Sequence, residues 1–364
     1  METITKRPTL AAFDVCGKVA AFSYGLGRGL VCFDGVRVWS VPGEADGPVA
    51  VADCPVDVSG VFRADALAAL ADLKGRAAAF DVVDGAVTFD GATVAPVLSY
   101  PRTRNAPSMD GEALRVAVDP ATFAAALEWT ARAATKDATR YAINGVRAEI
   151  VQGDGLQLIA TDGRRLHAAG VGCALQTVPE VGPKVAAMIG ARSVAPLVRM
   201  LKKKPGACSV DVSEKGWTLV RVGAVSVFYV NIGTFPEWRR IIPSGVSTTA
   251  TGDARTMFER CRDAGRLIPK ESGSRAVRLE GGKIDGSHPE WWESLGEAGA
   301  LLNVDFLTDA FQGSWSRELP VFYQDNRAWI HAPGDDSRPV KITRDAGSRL
   351  ALIMPIAETR GGAR

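Results

Sequence analysis

Hydrophobic positions along the chain change their spacing in the same order three times. Apolar residues first recur every three to four positions, and after a polar break they alternate with polar residues over two short stretches. This order occupies residues 61–91, 189–223 and 302–332. The first spacing predicts an amphipathic helix, and alternation predicts a strand with one buried face. Each segment therefore predicts a helix followed by a β-hairpin.

A second helix is predicted upstream of this segment in the middle and last thirds of the chain. Asp119 precedes Pro120 there, and Asp253 precedes another apolar periodic stretch. Asp is a preferred N-cap residue and Pro is favoured at the first helical position, so both places predict helix starts. A weaker counterpart lies at residues 9–22 in the first third.

The repeated order predicts an α+β protein built from three similar domains. We place the domains at residues 1–112, 113–246 and 247–364, with polar links at residues 102–113 and 243–253. Chance similarity between short patterns is the alternative to a true repeat.

Composition narrows the functional class. The 364 residues are 46% hydrophobic, enough for several cores, and the formal net charge is +2, so affinity for nucleic acid must come from local patches. The six cysteines form no CxxC pair and the three histidines lie far apart. This spacing favours reduced, buried thiols over a disulfide framework or a metal site. Neither a signal peptide nor a membrane-spanning run is recognisable, so we expect a soluble cytoplasmic protein without a cofactor.

Positive charges are concentrated on three of the predicted helices, although acidic residues accompany them on the helix after Asp253. A solvated helix face is the ordinary explanation of any one such cluster. Repetition on equivalent helices instead favours sequence-independent contacts with phosphate groups. The candidate residues for such contacts are Lys74, Arg76, Arg199, Lys202, Lys203, Lys204, Arg260 and Arg262.

Catalytic patterns are weak throughout the chain. Residues 25–30 lack both the glycine spacing of a dinucleotide-binding loop and the Lys-Ser/Thr ending of a phosphate-binding loop. His288 stands near two glutamates without a nucleophile or a metal-ligand spacing, which indicates a surface loop. Asp162 is followed by Gly163, which predicts a turn rather than a general base. We therefore expect neither a catalytic residue nor a metal site.

Four motifs stand out between residues 115 and 356. The first joins residues 139–150 to residues 159–170, and the others occupy residues 235–243, 302–311 and 352–356. Their order and spacing resemble the bacterial DNA polymerase III beta subunit family, the sliding clamps. Residues 1–112 are similar to that family only in their layout.

This resemblance implies a three-domain chain and a head-to-tail homodimer, closed into a ring with helices lining the hole and sheets outside. It implies a processivity factor without catalytic activity, which encircles double-stranded DNA regardless of sequence. Such a factor binds a DNA polymerase and a clamp loader through short peptide motifs, in the cytoplasm and associated with the nucleoid. Because a ring holds DNA topologically, a modest net charge is sufficient. The basic helix residues would then be DNA contacts.

The resemblance also implies a groove for partner peptides between the middle and last domains. We expect its apolar residues, including an adaptable methionine, to form a pocket, and its arginines to pair with acidic or carbonyl groups of an extended peptide. The alternative is that these residues only pack an interdomain core. The groove residues implied are Arg140, Ile143, Thr161, Gly163, Arg164, Arg165, Leu166, Pro236, Arg240, Ile241, Asn303, Phe306, Leu352, Ile353, Met354, Pro355 and Ile356.

The chain departs from the family pattern at several positions. Arg164 replaces a usual His, and Trp238 and Phe306 each replace a usual Tyr, so we expect a different peptide preference. Residues 357–364 extend past the usual end of family chains.

The joint between two chains is predicted to involve residues 93–99 of one chain and Leu267 with Ile268 of the other. Pro96 removes one hydrogen-bond donor from the first of these segments. Two other classes of function remain open, namely a nucleic-acid-processing enzyme built on clamp-like domains and a peptide-binding scaffold that never encircles DNA.

Overall fold

The computed structural model of the protein describes the greater part of each predicted domain. The described residues are 10–26, 29–41, 47–53, 59–67, 80–83, 86–89, 92–94, 112–151, 155–175, 177, 185–203, 206–230, 233–244, 250–268, 275–280, 283–284, 300–313, 327–331, 338–344 and 348–356.

Single helices are separated by runs of several strands along the chain, in the α+β manner that the sequence predicts. The helices are α1 (Leu10–Gly25), α2 (Pro120–Thr130), α3 (Ala191–Leu201), α4 (Ala254–Leu267) and α5 (Val304–Phe311), with 3₁₀ turns at Ala131–Ala133, Tyr141–Ile143 and Trp238–Ile241. The strands are β1 (Leu30–Asp34), β2 (Arg37–Ser40), β3 (Val49–Asp53), β4 (Ser59–Arg63), β5 (Phe80–Val83), β6 (Ala86–Phe89), β7 (Ala92–Val94), β8 (Ala113–Ala117), β9 (Gly145–Val151), β10 (Gly155–Thr161), β11 (Arg165–Val171), β12 (Val185–Gly190), β13 (Cys208–Ser213), β14 (Trp217–Val222), β15 (Val225–Val230), β16 (Ala250–Asp253), β17 (Ala276–Glu280), β18 (Lys283–Ile284), β19 (Ala300–Asn303), β20 (Arg327–His331), β21 (Val340–Arg344) and β22 (Arg349–Ile353).

The predicted helix starts are confirmed by their capping hydrogen bonds. Asp119 Oδ2 accepts from the Thr122 N–H at 2.8 Å, and α2 begins at Pro120 as expected. Asp253 Oδ1 accepts from the Thr256 N–H at 2.8 Å and caps α4 in the same way. These bonds satisfy N–H groups that a helix leaves without an internal partner.

The helix-then-hairpin repeat is observed most completely in its middle copy, where α3 is followed by the antiparallel pair β13 and β14. In the first copy the hairpin β5–β6 is present. In the last copy α5 is present and β20 is the strand described after it. The predicted helix of the first copy is described at residues 64–67, which are helical. The remaining predicted parts of these two copies lie outside the described residues.

The chain divides into two compact units. Unit 1 comprises Met1–Ala124 and Val185–Ile232, and unit 2 comprises Ala125–Lys184 and Gly233–Arg364. The predicted middle domain is shared between them, because its strands belong to different large sheets. The three domain boundaries given above remain a prediction.

Unit 1 is built on an antiparallel sheet of eight strands in the order β4-β1-β2-β3-β15-β14-β13-β8. Strand β15 pairs with β3 through Ser226 opposite Val51, so the sheet runs across the predicted boundary near residue 112. A smaller sheet has the order β5-β6-β7. The rings of Phe33 and Phe62 meet edge to face at 5.3 Å within the core of this unit.

Unit 2 contains the strand order β9-β10-β11-β22-β21-β20-β16 and a small sheet of order β18-β17-β19. Strand β11 pairs with β22, which joins the predicted middle and last domains in one sheet. Every residue of β10 is buried, so both faces of this strand are covered. The sheet surrounding β10 and β11 supports the site described next.

Candidate functional site

A groove of about 440 Å³ opens on unit 2. Many of the predicted groove residues line it, namely Arg140, Ile143, Thr161, Gly163, Arg164, Arg165, Leu166, Pro236, Ile241, Leu352 and Met354. The lining also includes Glu237, Trp238, Arg338 and Pro339.

Strand pairing explains how segments so distant in sequence meet in one groove. Leu166 on β11 stands opposite Leu352 on β22, and both are almost fully buried, which makes them the apolar floor. The Met354 N–H donates to the Arg164 carbonyl at 2.9 Å, so the pairing continues one step past β22. Met354 itself is 39% exposed and offers its side chain at the surface.

The turn between β10 and β11 forms one rim of the groove. The predicted turn at Asp162 is confirmed, since its Oδ1 accepts the N–H groups of Arg164 and Arg165 at 2.9 and 3.1 Å. Gly163 has a φ of 90°, which favours glycine. A Cβ at Gly163 would lie 2.9 Å from Arg140 Nη2. The glycine therefore leaves room for the Arg140 guanidinium, whose Nη1 donates to the Asp162 carbonyl at 2.7 Å.

Arg165 is held by partners on several sides and acts as a structural anchor of this rim. Its guanidinium pairs with Asp162 at 3.1 Å and with Asp309 on α5 at 2.6 Å. It also lies 4.3 Å from the centre of the Phe306 ring, a cation–π contact. These contacts fasten the turn to α5 and leave Arg165 little freedom to reorient toward a ligand.

The opposite wall rests on a buried ionic cluster. Trp238 in the 3₁₀ turn Trp238–Ile241 donates from Nε1 to Glu149 Oε1 at 3.3 Å. The Arg239 guanidinium pairs with Glu149 at 2.9 Å and stacks over the Trp238 ring at 4.3 Å. Arg239 also donates to Gln157 Oε1 at 3.0 Å, and Arg147 pairs with Glu149 at 2.6 Å. This cluster ties the wall to β9 and β10.

His167 lies beneath the groove, next to Leu166 on β11, and is completely buried. Its ring stacks on the Trp129 ring at 4.3 Å, and its Nδ1–H donates to the Trp129 carbonyl at 3.1 Å. Burial lowers the pKa of His167 to about 3, and the nearby Arg165 and Arg132 act in the same direction. The imidazole is therefore neutral near pH 7 and serves as part of the core.

Several predicted groove residues lie outside the lining of this groove. Asn303 caps α5 by accepting the N–H groups of Asp305 and Phe306, and Ile353 is fully buried in the sheet. Arg240 is exposed on its 3₁₀ turn. The set that the groove lining does not include is Arg240, Asn303, Phe306, Ile353, Pro355 and Ile356, and their peptide-binding role stays a prediction.

Four lining residues were not among the predicted groove residues. Glu237 and Trp238 belong to the motif at residues 235–243, so the motif signalled their place without assigning them a role. Arg338 and Pro339 belong to no motif. They reach the groove because β21, which follows them, lies beside β22 in the sheet.

In unit 1, helix α3 presents a basic surface. Arg199, Lys202 and Lys203 are exposed, whereas the opposite side of α3 packs Val194, Leu197 and other apolar residues into the core. Among the described residues, neither Arg199 nor Lys203 forms an ion pair. Lys74, Arg76 and Lys204 lie outside the described residues.

Helix α4 in unit 2 is also exposed, but its positive charges are largely paired. Arg255 pairs with Glu259 at 3.2 Å. Arg262 and Arg266 both contact Asp263, at 3.2 and 3.3 Å. Arg260 is exposed and forms no ion pair with a described residue. Helices α3 and α4 therefore differ in how much positive charge they leave for a ligand.

The described part of the chain shows no cluster of three His, Cys, Asp or Glu side chains able to hold a metal ion. None of its helices has both the length and the apolar character needed to cross a membrane.

Residues 117–237 match the family described as DNA polymerase III beta subunit, central domain. These residues contain the groove rim and much of its wall. The resemblance to the beta sliding clamp family is confirmed.

Curated relatives carry the name beta sliding clamp. The protein of Pseudomonas aeruginosa is 24% identical over 225 residues, which cover 58% of this chain and 60% of the relative. That of Caulobacter vibrioides is 30% identical over 183 residues, covering 49% of this chain and 47% of the relative. The chain thus matches about three fifths or less of the length of these relatives.

Solved beta clamp structures share the fold over nearly the whole chain. The beta subunit of Thermotoga maritima superposes with a TM-score of 0.71 at 15% identity, covering 96% of this chain and 98% of the other. The beta subunit of Caulobacter crescentus gives 0.70 at 20% identity with the same coverage. A coverage of 96% means that the shared fold extends into the first 112 residues, which resemble the family only in layout.

Proposed function

We propose that this chain is a DNA sliding clamp, a processivity factor that encircles duplex DNA and tethers a polymerase to it. The observation that carries the proposal is the groove on unit 2. Most of its lining residues belong to the clamp motifs, and the chain has the clamp fold. The protein would have no catalytic activity of its own. It would act in the cytoplasm, on DNA of the nucleoid.

The chemistry of the groove suits an extended peptide. Leu166 and Leu352 provide an apolar floor, and Met354 provides a deformable edge. Arginines on the rim can pair with carbonyl or carboxylate groups of a peptide chain. A solved beta clamp of Pseudomonas aeruginosa is bound to griselimycin, which shows that a relative of this fold takes a ligand. Polymerase and clamp-loader subunits are the peptide-bearing partners that we propose here.

The DNA contacts proposed for the clamp are electrostatic and mobile. The exposed cations Arg199, Lys202 and Lys203 lie in the last turn of α3 and in the turn that follows it, and side chains of this type contact phosphates without reading bases. Because a closed ring prevents dissociation by its topology, these contacts need not be strong. They would let the ring slide along any sequence.

A second copy of this chain would complete the ring. Leu267 at the end of α4 is 86% exposed, so its apolar side chain is available for contact with another chain. It forms part of the joint proposed from the sequence. The segment on the other side of the joint begins at β7, and residues 95–99, which complete it, lie outside the described residues.

Light scattering combined with negative-stain imaging tests the proposal directly. We expect twice the mass of one chain at micromolar concentration and particles with a central hole. A clamp should also remain on nicked circular DNA after loading and leave the same DNA once it is linearised. A stable monomer would favour the peptide-binding scaffold instead, and cleavage of the DNA would favour the enzyme alternative.

A further inference from the structure

A second pocket, of about 220 Å³, lies in unit 1 between α1 and α3, which pack beside each other. It shares no lining residue with the groove of unit 2. Its volume exceeds the about 150 Å³ that holds a benzene molecule and falls short of the about 300 Å³ usual for drug-sized ligands. The pocket therefore has room for a small ligand whose apolar part has about six to ten heavy atoms.

The inner surface of this pocket is apolar. Phe22 on α1 is 1% exposed, and Met200 on α3 and Val222 at the end of β14 are buried as well. No hydroxyl or amide side chain is found among the described lining residues, so a hydrocarbon group loses no hydrogen bond on entering, whereas a nucleobase would. The apolar lining residues are Ala21, Phe22, Pro196, Met200 and Val222.

Positive charge surrounds this apolar surface. Lys18 on α1, Arg199 on α3 and Lys203 in the turn after α3 complete the lining, and none of the described lining residues is acidic. Arg199 and Lys203 are exposed and form no ion pair with a described residue. An anion at the edge of the pocket would therefore gain charge-assisted hydrogen bonds without displacing a carboxylate from either side chain.

Arg199 reaches from α3 to the end of α1. A Cβ added at Gly25, the last residue of α1, would lie 2.5 Å from Arg199 Nη2 and 2.9 Å from Pro196 Cγ. The glycine therefore lets the guanidinium lie against the end of α1, where the partial negative charge of a helix C-terminus favours a cation. This placement holds the charge of Arg199 at the edge of the pocket.

We propose that this pocket binds a short alkyl chain ending in a carboxylate or a phosphate. The chain lies between α1 and α3, and the anionic head contacts Arg199 and Lys203. Because the head neutralises these two cations, the bound ligand competes with DNA for them. The competition rests on the proposed function, in which both residues contact phosphates, whereas the binding site itself does not.

Isothermal titration calorimetry of the full chain with four probes tests the site. Octanoate and octyl phosphate share a chain and differ in their anionic head, so the tighter of the two identifies the head. Octan-1-ol keeps the chain without the charge and should bind about fivefold more weakly than octanoate. Acetate should show no measurable binding, since each CH₂ group removed from the chain costs about fourfold in affinity.

Filling the pocket should remove the site. Ala21 is exposed on α1 at the edge of the pocket, and Ala21→Phe should weaken octanoate by at least about tenfold by occupying the space of its chain. Ala195→Phe is the matched control, because Ala195 is exposed on α3 and does not line the pocket. Circular dichroism checks that both variants are folded.

Surface charge variants test the head group independently of the pocket-filling variant. Replacing Arg199 and Lys203 together with Gln should weaken octanoate by about fivefold and leave octan-1-ol within about twofold. Lys202→Gln is the control, since Lys202 is exposed in the same turn as Lys203 but does not line the pocket. It should leave the affinity for octanoate unchanged.

The competition is measured with a short DNA duplex. Saturating octanoate should weaken duplex binding by the wild type, relative to acetate at the same ionic strength, and should have no effect on Ala21→Phe. Absence of octanoate binding, equal affinity for octanoate and octan-1-ol, or unchanged affinity in a folded Ala21→Phe variant would each overturn the inference. If octanoate binds as expected and duplex affinity does not change, the site is supported and the proposed phosphate contacts of Arg199 and Lys203 fail.

Discussion

The groove of unit 2 and the basic face of α3 in unit 1 differ in how their side chains are held. In the groove, Arg165 and Trp238 are fixed by ion pairs, hydrogen bonds and buried neighbours. At the end of α3, Arg199 and Lys203 are exposed and form no ion pairs with described residues. A fixed surface suits recognition of a shape, whereas flexible solvated cations suit a uniform line of phosphates. Substitutions in the groove should therefore change stability or peptide affinity, whereas substitutions on the basic face of α3 should change the salt dependence of DNA binding.

Removing the charge beneath the groove should have the largest effect on stability. Glu149→Gln removes the carboxylate with which Arg239, whose side chain is only 7% exposed, forms a buried ion pair. Breaking a buried pair in this way costs about 3 kcal/mol of the free energy of unfolding. Urea denaturation followed by circular dichroism measures the loss.

The matched control for this prediction is Asp211→Asn in unit 1. Asp211 pairs with Arg115 and Arg221, whose side chains are 60% and 34% exposed and can be hydrated when the carboxylate is lost. We expect a cost of about 1 kcal/mol or less. Equal losses for the two variants would mean that burial does not distinguish the clusters.

Acid should destabilise the groove through His167. Its pKa is about 3 in the folded protein and about 6.5 in an unfolded chain. The unfolded state therefore binds the proton first, so this stability is complete above about pH 6.5 and is lost as pH falls toward 3. The expected slope is about 1.4 kcal/mol per pH unit inside that window.

Urea midpoints between pH 4.5 and 7 check this prediction, because His167→Leu should remove the His167 part of the slope. His331→Gln is the control, since His331 is partly exposed on β20. An unchanged slope in His167→Leu would contradict the assignment. The basic face of α3 contains no histidine and should keep its charge throughout this range.

Truncating the exposed edge of the groove should weaken peptides without unfolding the protein. Met354→Ala removes a deformable contact worth about 1–2 kcal/mol, or about five- to thirtyfold in affinity. Leu166→Ala is a poorer probe, because Leu166 is 1% exposed and its truncation also leaves a cavity in the core. Fluorescence anisotropy with a labelled peptide from a polymerase partner measures the loss. Val36→Ala truncates an apolar residue that is 62% exposed in unit 1 and does not line the groove, and it should leave the affinity unchanged.

The sequence could predict those features that depend on local chemistry. The Asp119 and Asp253 caps, the Asp162 turn and the hairpin after α3 each follow from a few neighbouring residues. The groove motifs were recognisable because the family resemblance linked them, and the pairing of β11 with β22 gives that link a physical cause.

Other features depend on contacts that no local pattern contains. Arg239 looks like one more surface cation in sequence, yet it is buried against Glu149, which lies far upstream. Gln157 is fully buried inside β10, where alternation predicts an exposed polar position. Arg338 joins the groove only through the order of strands in the sheet. In each case the partner is set by the tertiary fold.

The smallest predicted effect is on the salt dependence of DNA affinity. Comparing α3 with α4 tests whether ion pairs on the helix surface reduce contact with DNA. Each cation that touches a phosphate contributes up to about 0.9 to the slope of log affinity against log salt. Replacing Arg199 and Lys203 with Gln should therefore lower the slope by up to about 1.8. Arg262→Gln on α4 should lower it by less than about 0.5, because Asp263 already neutralises part of that charge.

Arg260 is the internal control, since it lies on α4 without an ion pair to a described residue. Arg260→Gln should lower the salt slope more than Arg262→Gln if pairing is what limits contact. Binding of short duplexes of several sequences, titrated with salt, gives the slopes. Because phosphates are the same in every duplex, each variant should change all sequences equally. A loss of affinity confined to one DNA sequence would indicate base contacts. Equal salt slopes for Arg260→Gln and Arg262→Gln would show that the orientation of the helix, rather than ion pairing, controls which cations reach DNA.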